Sequence, residues 1–305
     1  MIKIGYFGDG PWAHEAFKRL VSDKSIKIEF VTVRFDKRDG ILMGLATEND
    51  IPVELDEDIN SDEFLSRIEK YGVDLFVSMS FNQIFREKTY SYPLLKTINC
   101  HAGKLPFYRG RNILNWALIN DEKEFGITVH YVDEGIDTGD IILQKCYPIT
   151  DEDDYSTLLE KAYIGCADVL YEAVKQIQSD TVQRIKQDTI DPVGMYCGMR
   201  GPGDEVIDWN LTSRELYNFV RAISKPGPMA ASYIDGQIIR INKVKEIIGA
   251  REYKGISGQV LGKTKNGFYV KTKDTFVEVT EYEYDGKIRI GNRLKHAKRG
   301  GGGIS

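Results

Sequence analysis

Residues 2–35, IKIGYFGDGPWAHEAFKRLVSDKSIKIEFVTVRF, hold the pattern on which the fold turns. Two β-rich runs, 2–8 and 26–35, flank PWAHEAFKRLVSD, whose apolar residues recur at helical spacing behind a proline suited to a first helical turn. Strand, helix and strand in that order make a βαβ unit, and such units in series build a parallel, twisted sheet with helices on both faces. The rhythm continues outward. SDEFLSRIEKYG (61–72) reads as a helix with Ser61 at its N-cap, and VDLFVSMSF (73–81) and LKTINCHAG (95–103) as strands. RNILNWALIN reads as a helix, FGITVHYVD and GDIILQKCYPI as strands, and residues 155–179 as a long amphipathic helix. From 181 to 205 the periodicity fails in a turn-rich stretch typical of a linker. Beyond it TSRELYNFVRAIS restores a helix, and short strands with turn signals follow. The expected organisation is a Rossmann-like α/β domain over 1–180, a linker over 181–205, and a small β domain over 206–305 ending in a basic, flexible tail.

Composition bounds the function. A chain of 305 residues with 42% hydrophobic content can fill a core without crosslinks. Its four cysteines, Cys100, Cys146, Cys166 and Cys197, form no CxxC pair, and the N-terminus runs straight into a strand pattern, which predicts a cytoplasmic protein with reduced thiols. No apolar run approaches the roughly 20 residues of a membrane helix. A net charge of -5 argues against a protein built to hold nucleic acid.

Chemistry enters at INCHAGKLPFYRGRN (98–112). Side chains on a strand alternate, so Asn99 and His101 share one face and Cys100 takes the other. Both would project near the carboxyl end of a parallel strand, where open α/β sheets place ligands. Alone, such a histidine is more often a hydrogen-bonded structural residue than a catalytic one. A zinc site lacks a second Cys/His pair at plausible spacing, so no metal is expected. FGDGP after the first strand lacks the third glycine of a dinucleotide fingerprint and reads as a tight turn. The second element is VDEGIDTGDI (132–141), where Asp137 offers a carboxylate to orient an imidazole, while Asn99 offers an amide donor for an oxyanion. No serine or cysteine nucleophile belongs to the set, which leaves that role to a substrate amine.

NCHAGKLPFYRG and DEGIDTGD resemble the two motifs of the 10-formyltetrahydrofolate-dependent formyltransferases, NxHxSxLPxxRG and DxGxDTGD, in the family's order. The resemblance implies a catalytic triad of Asn99, His101 and Asp137. It implies a folate site along SMSFNQIF and the aspartate loop, with Met79, Phe81, Ile84, Val132, Asp133, Gly135 and Ile136 as contacts to 10-formyltetrahydrofolate. Ala102 and Gly103 depart from the proline and serine usual there. DEVIDWNLTSRELYNFVRAISKPGPMAASYIDGQIIRI is similar to the region shared by methionyl-tRNA and sugar N-formyltransferases, whose last module is an OB-like barrel. RFDKRDGILMGLATENDIPV is nearly charge-balanced where the tRNA enzymes carry a lysine-rich insertion. The resemblance therefore points to a nucleotide-linked (UDP or dTDP) amino sugar as acceptor, with Phe7, Lys104, Phe107, Arg109, Gly110, Arg111 and Asn112 as its contacts. Arg109 and Arg111, directly after the triad strand, could each meet a pyrophosphate or equally stabilise a loop. It also implies a homodimer, with no nucleic acid or membrane partner.

Overall fold

Tyr6 and Phe7 are neighbours on the first strand, so their side chains leave opposite faces of the sheet, and neither is exposed to solvent. What each meets defines the layers. In the computed structural model, which describes residues 1–296, the chain folds as β1 (Ile2–Gly8), α1 (Gly10–Val21), β2 (Ile26–Thr32), α2 (Gly40–Glu48), β3 (Val53–Glu54), α3 (Asp62–Ile68), β4 (Leu75–Met79), α4 (Glu87–Tyr90), β5 (Thr97–His101), β6 (Arg109–Gly110) and α5 (Ile113–Ile119). β7 (Glu124–Tyr131), β8 (Ile141–Pro148), α6 (Tyr155–Gln178) and β9 (Tyr196–Cys197) follow. Tyr6 packs edge-on against Phe17 of α1, and Phe7 against Phe64 of α3, so helices cover both faces. Phe7 also meets Phe30, Phe76, Phe81 and Phe85. Ser61 caps α3 by accepting from the Phe64 amide, as its position predicts.

The sheet order is β3-β2-β1-β4-β5-β7-β8. Its first five strands run parallel, β7 runs antiparallel to β5, and β8 reverses again against β7, giving a mostly parallel sheet. α2 and β3 fill the region that carries no assigned element in the sequence reading. Asp39 starts α2 by accepting from the Ile41 and Leu42 amides.

The chain divides into two compact units, and the division is not at one point. Residues 1–113, 124–148 and 159–198 form the first, and 114–123, 149–158 and 199 onward the second. Residues 181–198, expected as linker, thus belong to the first unit. There β9 pairs with β6, and Ile185 exchanges backbone hydrogen bonds with Ile141. Turn-rich composition marks irregular backbone, but long-range partners satisfy that backbone here.

The second unit carries α7 (Ser213–Ala222) and a five-stranded antiparallel sheet of β10 (Ala230–Ile234), β11 (Gln237–Glu246), β12 (Val260–Lys263), β13 (Phe268–Lys271) and β14 (Phe276–Glu283). Thr212 and Glu215 form a reciprocal capping box at the start of α7. Asp235 and Gly236, both at positive φ, make the two-residue turn between β10 and β11. Of the expected basic tail, residues 297–305 lie outside the described residues. No helix of the described chain is long and apolar enough to cross a membrane.

Candidate active site

Alternation along β5 produces the first half of the site. Cys100 is buried, with its thiol directed at the Cys166 carbonyl of α6 3.7 Å away, while Asn99 and His101 sit partly exposed on the other face. The antiparallel neighbour β7 then contributes across the strands. Asn99 is in register with His130, and its Nδ2 donates to His130 Nε2 at 3.3 Å. The Tyr131 carbonyl, 2.8 Å from His130 Nδ1, fixes a hydrogen on that nitrogen and leaves Nε2 to accept from Asn99.

The second half is the turn between β7 and β8. Asp133 Oδ1 accepts from the Thr138 hydroxyl at 2.6 Å and the Gly135 amide at 3.2 Å, which coils the turn. At Gly139 an added Cβ would lie 1.8 Å from the Tyr131 carbonyl oxygen, so this close approach requires glycine. Asp137 adopts the left-handed conformation at φ 55. Its Oδ2 accepts from the Gly110 amide at 2.9 Å and lies 3.5 Å from His101 Nδ1, and its Oδ1 lies 3.4 Å from His130 Nε2.

His101 Nε2 is 2.7 Å from the Tyr108 carbonyl oxygen. A carbonyl only accepts, so Nε2 carries a hydrogen and Nδ1 presents its lone pair toward Asp137. The 3.5 Å separation exceeds a hydrogen bond, as two facing acceptors require. Burial lowers the His101 pKa below the ordinary histidine value, outweighing the opposing pull of Asp137 and the Tyr108 carbonyl. Burial also pushes Asp137 upward, but the His101 and His130 imidazoles and the Gly110 amide prevail and hold it below the usual carboxylate range. The resting pair is a neutral imidazole beside a carboxylate. A proton arriving at Nδ1 turns that contact into a charged pair, so the arrangement can take up a proton from a reacting group.

Asn99, His101 and Asp137 thus converge, and His130 joins them. Four histidines occur in the chain, and this one stands in the alternating run ITVHYVD, so its strand face was available as a signal. Of the expected folate contacts, Phe81 and Val132 pack onto one aromatic cluster, which brings their two loops together, and those loops expose Ile84 and Ile136. Asp133 and Gly135 stand on the second of these loops, joined by the hydrogen bond from the Gly135 amide to Asp133 Oδ1. Met79 is buried, and its carbonyl accepts from the Asp9 amide. Two acceptor contacts are corrected. Phe7 is wholly enclosed by aromatic rings and presents no surface to a ligand. Arg109 is 7% exposed and spends its guanidinium on Gln187, the Val193 carbonyl and the Tyr196 hydroxyl, so its donors are committed to stabilising a loop. Lys104 pairs with Glu124, Gly110 supplies its amide to Asp137, and Phe107, Arg111 and Asn112 remain exposed.

Residues 3–174 match the formyl transferase family model, and residues 201–293 match the formyl transferase C-terminal domain. The chain is 30% identical over 246 residues to the methionyl-tRNA formyltransferase of Geobacter metallireducens, covering 81% of this chain and 77% of the relative. It is 29% identical over 297 residues to that of Acetivibrio thermocellus, covering 95% and 94%. Among solved structures, the Helicobacter canadensis N-formyltransferase in complex with folinic acid and dTDP-3-aminofucose is similar at 23% identity and a TM-score of 0.66, covering 93% of this chain and all of that one. At that identity the likeness speaks for the fold.

Proposed function

The chain belongs to the formyl transferase family, and from that premise we propose that it formylates the amine of a nucleotide-linked amino-dideoxy sugar, UDP- or dTDP-bound, for surface glycan synthesis. The observation that carries the choice of acceptor is the charge of the segment after β2. Arg34, Lys37 and Arg38 there are outnumbered by Asp36, Asp39, Glu48 and Asp50, and Arg34 is already engaged by Asp36 and Asp9. A tRNA acceptor stem needs a concentrated basic surface, because affinity comes from phosphate neutralisation. The Helicobacter protein's nucleotide-sugar ligand is in line with this reading. The second reading, formylation of methionyl-tRNA, is favoured by the names of the full-length relatives.

When bound, 10-formyltetrahydrofolate supplies the formyl group at the 79–84 and 132–136 loops. The residues of the chain do the rest. One Asn99 amide hydrogen goes to His130, which orients the group, and the other stabilises negative charge developing on the formyl oxygen. His101, uncharged at neutral pH, accepts at Nδ1 the proton that the attacking amine sheds, and Asp137 stabilises the resulting imidazolium. Holding amine and donor together removes a bimolecular encounter. We place the reaction in the cytoplasm and in a homodimer.

The test is incubation with 10-formyltetrahydrofolate and, separately, a panel of nucleotide-linked amino sugars and methionyl-tRNA. A mass gain of CO on a sugar nucleotide is expected. Formylated methionyl-tRNA with no sugar product overturns the acceptor assignment.

A further inference from the structure

We infer that Gln187, which lies in the stretch that reads as a linker, is a positioning residue for formyl transfer, acting through the backbone of Asp137. The inference rests on the formyl-transfer reading above. Gln187 is 3% exposed, and its side-chain amide is saturated. Nε2 donates to the Asp137 carbonyl at 2.9 Å and to the Gly139 carbonyl at 2.8 Å. Oε1 accepts from Arg109 Nε at 3.1 Å and Nη2 at 2.8 Å.

The chemistry of the position selects an amide. Two carbonyls converge from the aspartate turn and need donors, while a guanidinium approaches from the opposite side and needs an acceptor. Glutamate would set a carboxylate oxygen against two carbonyls, and lysine would set a cation against Arg109. Glutamine has a two-hydrogen donor and a two-lone-pair acceptor at its two ends. The left-handed backbone of Asp137 is one that non-glycine residues hold only when their surroundings impose it. Gln187 imposes it from the backbone side, and the Gly110 amide from the carboxylate side. Gly110 follows Arg109 directly, so the Arg109–Gln187 contact links both restraints. The result sets where the carboxylate stands relative to His101.

Two substitutions separate positioning from scaffolding. Gln187→Glu keeps an acceptor for Arg109, strengthened by charge, but withdraws both donors from the turn. Gln187→Met withdraws both halves at similar size. Steady-state transfer to whichever amine the wild type accepts should show kcat reduced about tenfold or more in both variants, with KM for donor and acceptor changed less than about twofold, as misplacement of a reacting group requires. Because a glutamate here leaves two buried carbonyls without donors, thermal melts set the assay at a temperature where both variants remain folded. Gln187→Glu turning over within about twofold of the wild type overturns the inference, because the Arg109 contact alone would then suffice. A second readout needs no turnover. His101 is faced by the charged or titratable Asp137 and His130. A carboxylate moved away stops supporting its proton, so the histidine Cε1 NMR titration of His101 should shift to lower pH in Gln187→Met. An unchanged titration overturns the inference. A wild-type protein that formylates no amine instead overturns the functional reading, and the NMR arm still decides the clamp.

Discussion

Asp137 and Asp121 are the same residue in nearly the same backbone conformation, at φ 55 and φ 56, and they serve different ends. Asp121, in the second unit, faces permanent cations. Arg214 reaches it at 2.5 Å, Lys123 at 3.2 Å and Arg221 at 3.6 Å, and the Arg214 hydrogen bond foremost pulls its pKa down to about 2. Asp137, in the first unit, faces two imidazoles at 3.4 and 3.5 Å. Guanidinium groups never release their charge near neutrality, whereas imidazoles do. A left-handed aspartate among arginines is therefore held in a permanent ion pair, whereas one among histidines has neighbours that can gain and lose a proton.

The contrast breaks most visibly under isosteric substitution. Asp137→Asn still accepts from the Gly110 amide but no longer stabilises an imidazolium, and turnover should fall about 10²- to 10⁴-fold with the thermal midpoint retained. Asp121→Asn should leave turnover intact and cost about 1 kcal/mol, a small figure because its side chain is 36% exposed. Paired kinetic and melting measurements check both, and equal kinetic losses would erase the distinction. Asn99→Ala should lower kcat about 10²- to 10³-fold with little change in KM, and near-normal turnover would contradict the oxyanion role.

Gly103→Ala probes the imidazole from its other side. The added Cβ would stand 2.5 Å from His101 Nε2 and 2.4 Å from the Tyr108 carbonyl oxygen, so the bond that fixes the tautomer must give way. A loss of about tenfold in kcat is expected, and wild-type kinetics would show that the Tyr108 contact is dispensable. The pH responses also differ. Burial lowers His101, so it stays uncharged to lower pH than an ordinary histidine, and the acid decline of kcat should lie below the range of an ordinary histidine. Asp121 is depressed from an unfolded value of about 3.9, so its stability contribution is present above that pH and is lost as the pH falls toward about 2. Rate profiles and acid-unfolding curves separate the two.

Asn99 and His101 were legible because a strand alternates locally, and Asp137 because its turn carries the glycines and threonine that coil it. Ser61 was legible for the same local reason. His130 was not, since its place beside Asn99 depends on the antiparallel register of β5 and β7. Gln187 was hidden further, 50 residues from Asp137 in chain order and in a stretch without periodicity. Phe7 was misjudged as an acceptor contact, and the two readings of Arg109 were inseparable, because sequence places a residue on an element but does not state what closes over it.

By itself the sequence determined the βαβ sheet, the shared face of Asn99 and His101, and the coil that carries Asp137. These follow from periodicity and turn chemistry, which act over a few residues. Tertiary structure decided which nitrogen of His101 carries its hydrogen, which histidine supports Asn99, and that a glutamine from a linker-like stretch grips the aspartate turn. Those outcomes depend on hydrogen-bond partners distant in the chain, and burial in a dense interior allows only the pairing that leaves few polar groups unmatched.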